Sequence, residues 1–182
     1  MIRTQQTISY IDEFGKEKPI ILKELDEINA GICDSMTYEE MNKKYPPEYN
    51  MRLKDKLNYR YPRGESYIDL ISRLDPFVQE IESWDKPMFI VSHQAILRCL
   101  YAYFETHKMD EIPHIEVPLH TLIKFEPGVM GYKQTTYRFD TETGDYETDF
   151  KEVNYINEIP KKMRFRRTYS DQDTDESGSN KE

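Results

Sequence analysis

Cysteine is scarce in this sequence: Cys33 and Cys99 are the only two in 182 residues, far apart and without the spacing of a metal site or a disulfide framework. They are expected as reduced thiols in or near a core. Long apolar runs are missing too. Met88-Phe89-Ile90-Val91 and the stretch 96–104, broken by Arg98, fall far short of the roughly 20 residues that span a bilayer, so no membrane association is expected. The opening Met1-Ile2-Arg3-Thr4 lacks an apolar stretch after a basic start and does not read as a signal peptide, which leaves a cytoplasmic setting as the expectation. Nor is there a surplus of positive charge. Twenty-five Lys and Arg stand against 34 Asp and Glu, a net charge of −9. Such a surface repels polyanions, so no nucleic-acid partner is expected, and any anionic ligand needs a local basic cluster.

What is present suits one domain with a polar appendage. The length fits a single core. The chain turns polar and acidic from about Asp140, so residues 1–139 are assigned to the domain and 140–182 to a disordered acidic C-terminal tail. Within that tail the basic run Lys161-Lys162-Met163-Arg164-Phe165-Arg166-Arg167, ahead of Thr168 and Ser170, reads as a solvated segment or as a kinase or interaction patch.

Residues 4–14 have a loosely helical polar pattern. Thr37-Tyr38-Glu39-Glu40 fits a capping box opening a short helix that Tyr45-Pro46-Pro47 should end. Ser66-Tyr67-Ile68-Asp69 opens a second helix, with Tyr67, Leu70, Ile71, Leu74, Val78 and Ile81 at helical spacing and Pro76 expected to bend or split it. Met88-Phe89-Ile90-Val91 suits a strand buried on both faces, followed by Ser92-His93-Gln94 and a helix over 95–104. Residues 121–125 and 132–139 read as two further strands. This alternation predicts an α/β domain with a mostly parallel sheet.

Three features point to chemistry. His93 stands where a buried strand meets a helix N-terminus, a place where ligands bind in open α/β sheets, although such a histidine taken alone is more often structural. The segment 52–64 carries Arg52, Lys54, Lys56, Arg60 and Arg63 in an acidic chain, and its Tyr, Pro and Gly content suggests an irregular loop, either a phosphate clamp or a solvated basic surface. Glu27, between an apolar run and a capped helix, is placed either as a general acid or as an ordinary loop acid.

The combination resembles one family. Glu27-Ile28-Asn29-Ala30-Gly31, Thr37-Tyr38-Glu39-Glu40, Tyr59-Arg60-Tyr61-Pro62-Arg63-Gly64-Glu65-Ser66-Tyr67, Ser92-His93-Gln94-Ala95-Ile96-Leu97-Arg98-Cys99 and Pro118-Leu119-His120-Thr121 resemble, in one order, the bisphosphatase half of 6-phosphofructo-2-kinase/fructose-2,6-bisphosphatase, within the histidine phosphatases. The resemblance implies a phosphoglycerate-mutase-like three-layer α/β fold and hydrolysis of the 2-phosphate of fructose 2,6-bisphosphate through a phosphohistidine, with no metal or other cofactor. It implies that Arg3 holds the transferred phosphoryl group, that Glu27 protonates the leaving oxygen, and that His93 hydrogen-bonds the phosphoryl oxygens. Tyr38, Arg52, Lys56, Tyr67, Gln94 and Arg98 match positions that bind the sugar and its other phosphate. The implied partners are a small sugar bisphosphate, a second copy in a homodimer, and a kinase domain upstream.

One departure is large. The family's nucleophile sits in an Arg-His-Gly triplet at the end of the first strand, ahead of the arginine matched by Arg3, and this sequence contains no such triplet. Met1 is therefore read as an internal methionine of a longer chain whose first strand lies upstream, and the chain as written is expected not to turn over substrate. The alternative is a non-catalytic phosphosugar-binding regulatory protein; a mutase-like enzyme on other phosphate esters fits Tyr38, Tyr67 and the cationic loop less well.

Overall fold

In the computed structural model of the chain, the described residues are 2–9, 11, 19–105, 107–128 and 131–154. The stretch 155–182, including the basic run before Thr168, and residues 12–18 lie outside them. Among the described residues the order is α1 (Ile2–Ile8), α2 (Tyr38–Lys44), α3 (Pro46–Lys54), α4 (Tyr67–Ser83), α5 (Gln94–Glu105), then strands β1 (Thr121–Gly128), β2 (Gly131–Phe139) and β3 (Tyr146–Asn154).

Caps decide where helices begin. The Thr37 hydroxyl accepts from the Glu40 amide at 3.2 Å while the Glu40 carboxylate accepts from the Thr37 amide at 2.8 Å. Ser66 and Asp69 repeat the exchange at the start of α4. Pro46 ends α2 as expected but also opens α3, because a proline in the first helical turn has no N–H to lose there. Arg52 and Lys54 therefore stand on a helix, and the irregular part of the basic segment starts only at Asp55. Pro76 does not split α4, which runs unbroken to Ser83. An interior proline costs about 3 kcal/mol, whereas burying each large apolar side chain of this helix stabilises by roughly 1.5–3 kcal/mol. Six buried side chains outweigh one lost hydrogen bond.

Those six, Tyr67, Leu70, Ile71, Leu74, Phe77 and Val78, pack against Ala95, Ile96, Cys99, Leu100 and Ala102 of α5, with Ile112 and Ile115 closing the cluster. Leu70→Ala is expected to cost about 2–5 kcal/mol, since Leu70 is fully enclosed and the site can collapse only in part. Urea unfolding followed by circular dichroism measures it.

The sheet departs from expectation. The strands form one antiparallel sheet in the order β1-β2-β3, with Thr121 facing Arg138 and Gly128 facing Gly131 across the hairpin. No parallel pair occurs among the described residues, and Met88-Phe89-Ile90-Val91 forms no strand. Met88 and Phe89 are 40% and 37% exposed. An extended segment becomes a strand only when a neighbour takes its ladder hydrogen bonds, and among the described residues 88–91 joins no such ladder. β3 falls within the stretch read as tail; it pairs with β2 from Tyr146 opposite Phe139 to Asn154 opposite Gly131. Aromatic contacts seat the sheet on the C-terminal half of α5: Phe125 stacks on Phe104 with centroids 5.0 Å apart, Tyr132 meets Phe104 edge-on, and Gln134 donates to the Tyr101 hydroxyl.

Candidate active site

Two glycines allow the loops of the site to cross. Gly31 has φ +53°, and a Cβ there would lie 2.1 Å from the Pro62 carbonyl oxygen; one at Gly64 would lie 2.2 Å from the Asn29 carbonyl oxygen. With both Cβ atoms absent, the Ile32 amide donates to Pro62 and the Glu65 amide to Asn29. The loop carrying Glu27 is thereby tied to the loop carrying Tyr59 and Tyr61. Glu27 then reaches the start of α5, where its Oε1 accepts from the Ala95 amide at 3.2 Å and from the Ile28 amide at 3.0 Å. The residue before α5 is a histidine rather than Ser, Thr, Asp or Asn, so a carboxylate from another segment supplies the cap, favoured by the positive end of the helix.

Beside Glu27 a pocket of about 440 Å³, its mouth included, is lined by Tyr38, Arg52, Lys56, Tyr67, Gln94 and Arg98 together with Ile28, Tyr59 and Tyr61. Arg52, at the last turn of α3, is 7% exposed; it donates to the Tyr61 hydroxyl at 2.7 Å and the Tyr38 hydroxyl at 2.8 Å, and stacks over the Tyr38 ring. Arg98, one turn into α5, donates to the Ile115 carbonyl at 2.7 Å and the Tyr67 hydroxyl at 3.1 Å, and Lys56 donates to the Pro113 carbonyl at 2.6 Å. Each of the three cations is held by neutral oxygens, and none forms a salt bridge with a carboxylate among the described residues. Burial, then repulsion from Arg98 and Arg52, lowers the Lys56 ammonium to about 8. An anion is the complement this pocket lacks.

His93 is 4% exposed and adjoins the Glu27 end of the pocket without lining it. Arg3 of α1 approaches its Nδ1 with Nη2 at 2.8 Å and Nε at 3.2 Å. A guanidinium can only donate, so Nδ1 is the acceptor and Nε2 carries the proton. That Nε2–H is buried and has no hydrogen-bond partner among the described residues. Burial lowers the His93 pKa; Glu27 opposes the shift and Arg3 adds to it. The imidazole is thus a neutral donor with an unspent hydrogen.

Of the nine residues singled out from sequence, seven share the pocket and Arg3 and His93 pair at its edge. Among the described residues no three His, Cys, Asp or Glu side chains group as metal ligands, and no helix is long and apolar enough to cross a membrane. Reasoning from sequence missed Tyr61, and it missed the carbonyls of Pro113 and Ile115 that hold Lys56 and Arg98. Tyr61 lies inside a quoted motif and was legible as a pocket tyrosine; the two carbonyls carry no side-chain signal.

The profile that describes the histidine phosphatase superfamily, branch 1, matches residues 1–139. The chain belongs to that superfamily. It is 53% identical over 136 residues to a 6-phosphofructo-2-kinase/fructose-2,6-bisphosphatase of Arabidopsis thaliana, covering 75% of this chain and 18% of the relative. A fructose-2,6-bisphosphatase of Saccharomyces cerevisiae is 48% identical over 133 residues, covering 73% of this chain and 28% of the relative. A human 6-phosphofructo-2-kinase/fructose-2,6-bisphosphatase 1 is 45% identical over 120 residues, covering 66% of this chain and 25% of the relative. The chain spans well under a third of the length of these relatives. Among solved structures, an alpha-ribazole phosphatase of Shigella flexneri superposes with a TM-score of 0.60 at 16% identity, covering 85% of this chain and 69% of that one. A mycobacterial glucosyl-3-phosphoglycerate phosphatase superposes with a TM-score of 0.54 at 18% identity, covering 81% and 69%. These likenesses establish the histidine phosphatase fold, and the resemblance read from the motifs holds at the level of the family.

Proposed function

We propose that this chain supplies the substrate pocket and the acid side of a fructose-2,6-bisphosphatase site, in the control of glycolysis and gluconeogenesis. The observation that carries the reading is the trio Arg52, Lys56 and Arg98, three cations that form no salt bridge among the described residues, around one pocket in a chain of net charge −9. They are suited to the phosphate that is not transferred, with the hydroxyls of Tyr38 and Tyr67 and the Gln94 amide toward the sugar. The 2-phosphoryl group is placed at the Glu27 end. There the His93 Nε2–H donates to a phosphoryl oxygen as negative charge builds on it, and Arg3 orients His93 while offering its own charge. As general acid, Glu27 gives a proton to the sugar oxygen as the P–O bond to it breaks and the phosphoryl group passes to the family's histidine nucleophile, then takes one from the water that attacks the phosphohistidine, so fructose 2,6-bisphosphate and water yield fructose 6-phosphate and phosphate. In the family the phosphoryl group passes through a histidine of an Arg-His-Gly triplet, and no such triplet occurs in this sequence. His107, His114 and His120 do not line the pocket.

The same trio supports a second reading, binding of the sugar bisphosphate without hydrolysis, since Arg52, Lys56 and Arg98 can hold phosphate without a nucleophile. Titration calorimetry with fructose 2,6-bisphosphate, paired with a phosphate-release assay, separates the two. Binding with release supports the hydrolase, binding alone supports the regulatory protein, and no binding defeats both. A kinase unit joined to the chain, or a homodimer, belongs to the same proposal and is checked by the native mass of the purified protein. So does a cytoplasmic place of action, which the two free, buried thiols Cys33 and Cys99 suit.

Lys56 makes the reading testable by pH. Phosphate binds the ammonium form, which in the free chain is populated below about 8. Affinity is therefore expected to be flat below about pH 8 and to fall above it, by up to about tenfold per pH unit. Lys56→Met should bind more weakly and lose that break; a break that survives the substitution assigns it elsewhere.

A further inference from the structure

We propose that Arg73, a residue of α4 outside the pocket, is the positioning residue for Glu27. This rests on the reading of Glu27 as the acid of the site. Arg73 is half-buried, and all five of its N–H groups are engaged. Its Nε donates to Glu65 Oε1 at 2.9 Å and its Nη2 to Glu65 Oε2 at 3.0 Å, a fork on a carboxylate. Nη2 also donates to the Asp26 carbonyl at 3.0 Å, and Nη1 donates to the carbonyls of Lys23 at 3.0 Å and Glu24 at 2.8 Å. Glu65 Oε2 in turn accepts from the Asn29 amide at 2.9 Å.

One guanidinium thus fixes the backbone immediately before Glu27 directly and the backbone just after it through Glu65. Between those two anchors the chain has only Glu27 and Ile28 in which to turn, so the direction in which Glu27 leaves the backbone is set by the clamp. A side chain from another segment serves the same end, because the Ser92 hydroxyl donates to the Leu25 carbonyl at 2.8 Å and ties the segment to the start of α5. Lysine cannot replace this arrangement. It has three N–H groups on a single nitrogen, whereas the five acceptors here lie around a planar fork. A cation needed only for charge balance against Glu65 would, by contrast, be replaced by lysine without consequence.

The hydrogen bond from the Ala95 amide to Glu27 reports the carboxylate's position and requires no turnover. With the full chain labelled with ¹⁵N, the Ala95 amide proton is compared in the wild type, in Glu27→Ala, where its acceptor is gone, and in Arg73→Lys and Arg73→Met. In both Arg73 variants the resonance should move at least about half of the way to its Glu27→Ala position, since a charge-assisted hydrogen bond dominates that shift. Affinity for fructose 2,6-bisphosphate should stay within about threefold of wild type, because Arg52, Lys56 and Arg98 stand on other elements. Where Arg73→Met does not fold, Arg73→Lys and Glu65→Gln carry the test, the latter turning one acceptor of the fork into an opposing donor. An Ala95 amide that keeps its wild-type position in Arg73→Lys overturns the inference, as does a loss of affinity with that resonance unmoved. A wild-type chain that does not bind the sugar bisphosphate overturns the functional reading instead, and leaves the Ala95 comparison to decide the positioning of the carboxylate.

Discussion

Arg98→Ala is expected to weaken binding of fructose 2,6-bisphosphate by about 10- to 100-fold, because a hydrogen bond made by a charged group contributes about 1.5–3 kcal/mol. The guanidinium is held by the Ile115 carbonyl and the Tyr67 hydroxyl, so its charge is fixed at the pocket before any ligand arrives. Little ordering entropy remains to be lost on binding, which is why the effect should lie well above that of an exposed arginine. A second signature distinguishes this from general damage. Arg98 is the leading charge that holds the Lys56 ammonium down at about 8, after burial. Its removal should shift the pH break in the remaining affinity upward. Calorimetric titration across pH 7 to 10 reads both effects, and a folded Arg98→Ala chain that binds within about twofold of wild type would remove this arginine from the ligand site.

Gly31→Ala should be strongly destabilising for a single added methyl group. The new Cβ would sit 2.1 Å from the Pro62 carbonyl oxygen, a backbone atom that cannot swing away, and the residue would have to hold φ +53°. Overpacking costs typically 1–3 kcal/mol and a left-handed non-glycine residue about 1–2 kcal/mol, so a loss of roughly 2–5 kcal/mol is expected. For a chain of this size that lowers Tm by about 4–20 °C. Gly64→Ala meets the same obstacle from the opposite loop, at the Asn29 carbonyl. Because the two glycines relieve one crossing, the double variant should be less destabilised than the two single losses added together. Thermal unfolding by circular dichroism decides it. A Gly31→Ala chain melting within about 2 °C of wild type would mean that the crossing gives way readily and does not place Glu27.

The elements whose signals are local were legible in the residues. Thr37 with Glu40 and Ser66 with Asp69 mark helix starts because a cap and its partner are three residues apart. Leu70, Ile71, Leu74 and Val78 mark a buried face because helical spacing brings them together without reference to the rest of the chain. Met88-Phe89-Ile90-Val91 misled for the same reason in reverse. An apolar run can state that it prefers burial but not which strand will pair with it, and here no described strand does. β3 was hidden by composition: exposed on its described positions, it has no apolar face to announce it and is held through the ladder to β2.

The candidate site divides along the same line. By itself the sequence determined the family and the helices that carry Tyr38, Tyr67 and Arg98, since each is expressed in residue identity over a few positions. Only the tertiary structure decided that Arg52, Lys56 and Arg98 face one pocket, that Arg3 sets the His93 tautomer across 90 positions, and that Arg73 clamps both sides of Glu27 across as many as 50. These are contacts to backbone carbonyls and between distant segments. A carbonyl is common to every residue, so it leaves no mark in a sequence until the fold selects the few that matter.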